Sequence, residues 1–407
     1  AAQAELIQKQ LEKEAAAAEA QRKAYDAAEQ QQQQERLRAK LAERKKREIQ
    51  KQNRRSAEEA EAEAQAKIVA ETKDLQVAQG EEHTFSNGDK YKGEWQNGLP
   101  HGYGRYESAK TGAVYQGHWE KGDRHGHGDY EYKLSGFTYS GEWRHNKRHG
   151  AGELKDSNGV YKGDFVDGHA HGHGTFTFKS GAVYTGTFSE DEFDGEGTYK
   201  APSGEEYHGH WSSGFQTGYG VLTSASGHKY AGQWLNDKKH GRGKYESPEF
   251  SYDGEWAEDK MHGHGEYKYS SGDVYTGEWR NDQEWGRGRY EFAAGGAYDG
   301  QWEAGKRHGA GKYVGPKGDW YEGEWRDDAK EGVGIYTFPS GASYNGQWSA
   351  DNMHGVGVYT FASGKLNRVR YTKGACDERV DCTDAEAAEI LARLVPTVAA
   401  AGTAPAP

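Results

Sequence analysis

From about residue 84 to 374 the chain alternates aromatic or glycine positions with polar ones at a period of two, broken every few residues by short polar turns. In Tyr91-Lys-Gly93-Glu-Trp95 the rings and the glycine share one face of a strand, while Lys92 and Glu94 point to the other. After a turn expected at Gln96 to Pro100, Gly102, Gly104 and Tyr106 again share a face, with His101, Tyr103 and Arg105 opposite. Two such strands joined by a polar turn predict a β-hairpin. Glycine normally weakens a strand, so its place among aromatics predicts sockets in which a neighbouring Tyr or Trp ring lies flat across the backbone.

The hairpin repeats. Aligning every Tyr-x-Gly-x-Trp/Phe on Tyr91, Tyr115, Tyr139, Tyr161, Tyr184, Tyr207, Tyr230, Tyr252, Tyr275, Tyr298, Tyr321 and Tyr344 gives twelve copies at spacings of 22, 23 or 24 residues. The very few leucines exclude a leucine-rich solenoid, and propeller blades need about twice this period. The expected fold is mainly β: an elongated, single-layer, twisted antiparallel sheet of about twelve stacked hairpins, on the order of 115 Å long. With no residues left for a second layer, one face is expected to be an aromatic-lined groove and the other polar, with pairs such as Lys162 and Asp164 or Gln301 and Glu303.

The flanks follow other rules. Residues 1–79 lack Gly and Pro and consist mainly of Ala, Gln, Glu, Lys and Arg, which predicts one long charged α-helix, roughly 120 Å if continuous. Its large apolar residues never sustain a heptad, so it should lie along a partner or cover at most a few repeats near Ile68 to Val77. Between 36 and 55 it is strongly basic, with Arg44, Lys45, Lys46, Arg47, Arg54 and Arg55 as candidate electrostatic contacts to an acidic protein surface or an anionic membrane. Residues 375–395 are expected to hold a short capping or docking helix, opened by the capping-box pair Thr383 and Glu386, and 396–407 to be a disordered Pro/Ala tail.

Composition narrows the chemistry. The net charge is −12, and because 1–79 carries 16 basic and 15 acidic residues, the remainder holds about −13 of charge, unsuited to nucleic acid or anionic headgroups. No membrane-spanning run appears, and Cys376 and Cys382 do not make a disulfide scaffold. The pairs His125/His127, His171/His173 and His262/His264 invite a metal, but equivalent positions of successive repeats lie about 9 to 10 Å apart, so none is expected. The recurrent Gly-x-Gly has no following Lys-Ser/Thr, and no nucleophile can be nominated. No enzyme activity and no cofactor are expected.

The pattern, seen well in Tyr252-Asp-Gly254-Glu-Trp256 with His262-Gly263-His-Gly265-Glu-Tyr267, resembles the MORN (membrane occupation and recognition nexus) repeat family over about 285 of the 407 residues. Phe165 and Phe188 replace the motif Trp, and Asp194, Thr217, Trp285 and Glu331 the motif His. The resemblance implies a non-enzymatic scaffold, most like axonemal radial-spoke proteins, which places the chain in the cytoskeleton of a cilium or flagellum. On this reading the groove docks a partner's helix or extended segment through Tyr91, Trp95, Tyr115, Trp119, Tyr139, Trp143, Tyr207, Trp211, Tyr230, Trp234, Tyr252, Trp256, Tyr275, Trp279, Tyr298, Trp302, Tyr321, Trp325, Tyr344 and Trp348. The alternatives are a peripheral membrane tether using the basic run, or a subunit of an organellar membrane complex whose leader has been removed; self-association is open.

Overall fold

The computed structural model describes residues 80–133 and 136–394. The helix expected over 1–79, its basic run and the tail 396–407 lie outside the described residues. The described chain divides into two compact units, one of 80–130 with Trp143–Lys147, the other of 131–142 with 148–394.

In the first unit the strands Glu82–Thr84, Lys90–Gln96, Leu99–Glu107 and Ala113–Glu120 pair in chain order, each antiparallel to the next. In the second, an open antiparallel meander runs from Lys147–Lys155 to Ala375–Asp381 without a crossover. Among the described residues one helix, Asp384–Leu394, packs on strands Ser343–Ser349, Asn352–Thr360 and Leu366–Thr372.

One hairpin shows why the motif folds. In Lys229–Leu235 and Lys238–Glu246, Tyr230 lies across Gly232 and Gly243, which face each other in the ladder. A Cβ on Gly243 would stand 2.3 Å from the Tyr230 Oη, so no larger residue fits beneath the ring. The Tyr230 hydroxyl donates to the Gln233 carbonyl at 2.9 Å. Edge-on contacts with Trp234 at 5.2 Å and with Trp256 of the next hairpin at 5.4 Å repeat along the array, so Tyr and Trp rings roof one another. Each motif Trp from Trp119 on then ties to the hairpin before it: the Trp234 Nε1–H donates to the Gly220 carbonyl at 3.2 Å.

Simple alternation does not describe the second strand. Gly241 has φ of 57°, and the register shifts between Gly232 and Trp234, so the first glycine of His-Gly-x-Gly is a left-handed bulge residue. The Gln233 side chain fills the bulge, its Oε1 accepting the Arg242 N–H at 3.0 Å. Gly102 is the same kind of residue, with φ of 60°, which corrects its assignment to an unbroken face. The first turn is also tighter than Gln96 to Pro100. Only Asn97 and Gly98 are outside the strands, with φ of 55° and 74°, as a two-residue type I′ turn requires.

The sheet continues past 374. Leu366–Thr372 and Ala375–Asp381 form a further hairpin in which Asn367, Val369 and Tyr371 take the places of the motif Tyr, Gly and Trp. Val369 is buried, so its side chain fills the site where a Tyr ring would otherwise lie over glycine, and the ring stacking ends there. The Thr383 and Glu386 capping box forms, with Glu386 N–H donating to Thr383 Oγ1 at 3.3 Å and Thr383 N–H to Glu386 Oε2 at 2.8 Å.

Candidate functional site

The motif rings offered above as partner contacts are placed in the interior. The twelve motif tyrosines are at most 2% exposed, and the motif tryptophans from Trp119 on between 3% and 8%. Trp95 is half-buried, against His83 and Phe85. What a partner can reach is the layer above these rings, and two rows of side chains form it.

One row is the residue before the motif His. Its occupants are Pro100 and Arg124 in the first unit and, in the second, Arg148, Ala170, Phe193, Gln216, Lys239, Met261, Glu284, Arg307, Lys330 and Met353. Where it is cationic, the charge lies on the aromatic roof. Arg124 sits 4.6 Å from the Trp143 ring, Lys239 4.7 Å from Trp256, Arg307 4.3 Å from Trp325, and Lys330 5.3 Å from Trp348. Burial holds the Lys239 ammonium below the usual lysine range, with Asp259 and Asp282 pulling the other way. Arg307 is fixed by Asp328, its Nε donating to Oδ1 at 3.0 Å and its Nη2 to the backbone carbonyl at 2.8 Å.

The other row ends His-Gly-x-Gly-x-Tyr. In the last six repeats it is tyrosine without interruption, from Tyr245 to Tyr359, against Leu154, Phe176 and Leu222 earlier in the second unit. Three of the six hydroxyls are held by acids or imidazole: Tyr290 donates to Asp273 at 3.0 Å, Tyr336 to Asp319 at 2.9 Å, and Tyr245 meets His228 Nδ1 at 2.9 Å. Burial first, then these acids, push the Tyr290 and Tyr336 phenols up to about 12. Asp273 belongs to Gly-Asp-x-Tyr, a pattern that recurs at Asp89 and Asp319 and spans to the next repeat, where Asp273 Oδ1 accepts the Ala293 N–H at 2.7 Å.

Between the rows lies an open groove of about 790 Å³, lined by Tyr269, Glu284, Tyr290, Trp302, Arg307, Tyr313, Trp325 and Lys330 among others. Glu284 accepts a hydrogen bond from Tyr269 at 2.7 Å, and burial with this carboxylate raises the Tyr269 phenol beyond its usual range. Upstream the same face is filled, because Phe193 stacks on Tyr184 at 3.8 Å. Among the described residues no group of three or more His, Cys, Asp or Glu is arranged to hold a metal ion. The His pairs are split by left-handed glycines, Gly126, Gly172 and Gly263. The groove offers contact surface, held charges and fixed hydroxyls; it presents no arranged nucleophile and base.

These features define a tandem β-hairpin repeat protein built to present a surface. The MORN repeat family matches at 91–112, 115–133, 139–160, 161–183, 184–206, 207–229, 230–249, 252–274, 275–297, 298–320, 321–343 and 344–365. The chain belongs to the MORN repeat family, whose repeat is a structural, protein-binding scaffold unit. No curated protein matches the chain. Among solved structures it is similar to a mutant TCP10 domain of Danio rerio CPAP, at 14% identity over 53% of this chain and 95% of that one, with a TM-score of 0.23. It is also similar to the Drosophila melanogaster SAS-4 TCP domain in complex with a proline-rich motif of Ana2, at 11% identity over 39% and 96%, TM-score 0.24. A catalytically inactive virginiamycin B lyase from Staphylococcus aureus is similar at 12% identity over 74% and 87%, TM-score 0.12. At these TM-scores the likenesses carry nothing about function.

Proposed function

We propose that the protein is a non-enzymatic docking scaffold of a ciliary or flagellar axonemal assembly of the radial-spoke kind, holding a partner protein on the open aromatic face of its last repeats. The observation that carries the docking is the open groove at Glu284, Arg307 and Lys330, where these side chains and a row of half-buried tyrosines lie over the buried rings. The axonemal placement is supported by the resemblance of the twelve-repeat array and its charged N-terminal segment to spoke scaffolds.

Detergent extraction of cells expressing the tagged full chain tests the placement. Retention on the stripped axonemes is expected, and Arg307→Glu with Lys330→Glu should release the protein, whereas Tyr219→Ala, at a site exposed outside the groove, should not. Release of the wild type with the membrane fraction, together with salt-sensitive binding to anionic vesicles, would overturn the scaffold and favour a tether acting through the basic run.

A further inference from the structure

The residue before the motif His shows what the aromatic face can hold. In three repeats it is an arginine, and each donates Nη2 to an equivalent main-chain carbonyl, that of the second turn residue of the next hairpin. Arg124 reaches Asn146 at 3.2 Å, Arg307 reaches Asp328 at 2.8 Å, and Arg148 reaches Gly168. Each guanidinium also lies against the Trp or Phe that follows in the array, Arg124 at 4.6 Å from Trp143, Arg148 at 5.6 Å from Phe165 and Arg307 at 4.3 Å from Trp325. Arg124 and Lys239 further meet the tyrosine near the end of the second strand, Tyr130 at 5.5 Å and Tyr245 at 4.8 Å. The repeat therefore builds a seat for a cation from aromatic rings and one turn carbonyl.

At Glu284 the same seat carries a carboxylate in place of a cation. Trp302 and Tyr290 supply the rings, 6.1 Å apart, and the turn residue is Gly305. The Gly305 N–H donates to the Glu284 carbonyl at 3.0 Å, as the Gly168 N–H donates to the Arg148 carbonyl at 2.9 Å, so the two turns are placed alike. Glu284 Oε1 accepts the Tyr269 hydroxyl at 2.7 Å, and among the described residues no Lys, Arg or His pairs with this carboxylate. An added Cβ on Gly305 would stand 3.2 Å from Glu284 Oε2, so the second carboxylate oxygen lies at the turn whose carbonyl receives arginine elsewhere. The acids of the two following seats are engaged: Asp328 holds Arg307, and Asp351 lies 3.7 Å from Lys330. The open groove of about 790 Å³ passes over Glu284, Tyr290, Trp302 and Gly305.

Resting on the docking reading above, we propose that this site receives an arginine side chain of the partner protein, its guanidinium against Trp302 and Tyr290 and donating to Glu284 Oε2 and the Gly305 carbonyl. The incoming arginine takes the place that Arg124, Arg148 and Arg307 fill from within the chain. A guanidinium suits the site better than an ammonium because it is flat, stacks on an indole, and carries several donors in one plane, one for the carboxylate and one for the carbonyl. The site is confined to this repeat. On one side the equivalent position is the uncharged Met261, and on the other Arg307 supplies its own cation.

The test is a nuclear magnetic resonance titration of the full chain, following the Trp302 indole N–H, with acetyl-Ala-Arg-Ala-amide and with the same peptide carrying uncharged citrulline for arginine. Saturable shifts are expected with the arginine peptide, and binding at least about 10-fold weaker with citrulline. Glu284→Gln should weaken the arginine peptide by about 10-fold as well, while Tyr219→Ala, at a site exposed outside the groove, should leave it unchanged. Glu284→Arg fills the seat from within and should abolish peptide binding. No binding of the arginine peptide, equal binding of the citrulline peptide or by Glu284→Gln, or tighter binding of a trimethyl-lysine peptide overturns the proposal. If Arg307→Glu with Lys330→Glu releases the protein from stripped axonemes while the arginine peptide does not bind, the docking face stands and the arginine contact falls. If the peptide binds but the wild type washes off the axonemes, the arginine seat stands and the axonemal docking falls.

Discussion

Two glycine roles separate at the level of single residues. Gly243 lies in extended backbone under Tyr230, with the ring Cζ 2.5 Å from an added Cβ, whereas Gly227 has φ of 88° and nothing within 4 Å. Gly243→Ala must displace a ring locked by two tryptophans, so it should cost about 3 kcal/mol. Gly227→Ala pays only for its left-handed backbone, about 1 to 2 kcal/mol. Urea unfolding should rank them in that order; equal midpoints would mean the ring moves freely. The phenols add a pH dependence. Tyr267, Tyr290 and Tyr336 are raised to about 12 by burial, so between pH 10 and 12 the folded chain binds more protons than the unfolded one. Stability from this source is complete below pH 10 and falls as pH rises toward 12. The tyrosinate ultraviolet band should therefore grow together with loss of the β circular-dichroism signal, and a large tyrosinate rise in the still-folded protein would contradict the burial.

The hairpin turns carry a device of their own. In seven of them the second turn residue is Asp or Asn in the left-handed conformation, and it staples the previous hairpin. Asp259 donates its N–H to the Lys239 carbonyl at 3.1 Å and accepts the Lys239 N–H on Oδ1 at 2.9 Å. Where glycine stands instead, as at Gly305, only the main-chain bond remains, here to Glu284 at 3.0 Å. Asp259→Gly should therefore cost about 1 kcal/mol for one lost hydrogen bond. Asp259→Ala loses the same bond and also strains a φ of 69°, for about 2 to 3 kcal/mol in all. Thermal melts of the two variants decide it, and a milder Ala would show that the side-chain bond is not what matters. The two-strand repeat, its faces and the ring sockets were legible because period two and the recurrence of Tyr-x-Gly-x-Trp fix them without tertiary knowledge. The bulge was not, because a left-handed Gly241 and an extended Gly243 look alike in sequence. Nor was the row of Arg307, Lys330, Glu284 and Met261, since residue type varies along it and only the common position over the rings unites it. The motif Tyr and Trp read as a groove surface because a single layer seemed to lack cover; the cover is each hairpin's neighbouring rings.

At the scale of the array, stability should accumulate from hairpins that contact only their neighbours in the ladder. That makes a whole repeat removable. Deleting 298–320 joins Ala297 to Tyr321 and keeps the order of first and second strands, so strand Gln283–Glu291 would pair with Ala297 followed by 321–326 as it now pairs with Ala297–Glu303. Trp325, whose Nε1–H now bonds the Gly311 carbonyl at 3.1 Å, would be presented with the Gly288 carbonyl that Trp302 uses at the same distance. Tyr290 and Tyr336 then become adjacent members of the tyrosine row, leaving its spacing intact but the row one residue shorter. The variant should fold, with a urea m-value reduced in proportion to the length removed. Deleting only 298–305 removes a first strand and its turn but leaves the second strand Lys306–Val314, so two second strands meet with their glycine and aromatic positions out of register. That variant should aggregate or lose the tryptophan near-ultraviolet signal. If both deletions fold equally well, the pairing of Trp with the preceding glycine carbonyl is not what sets the register; if neither folds, the repeats are not independent units.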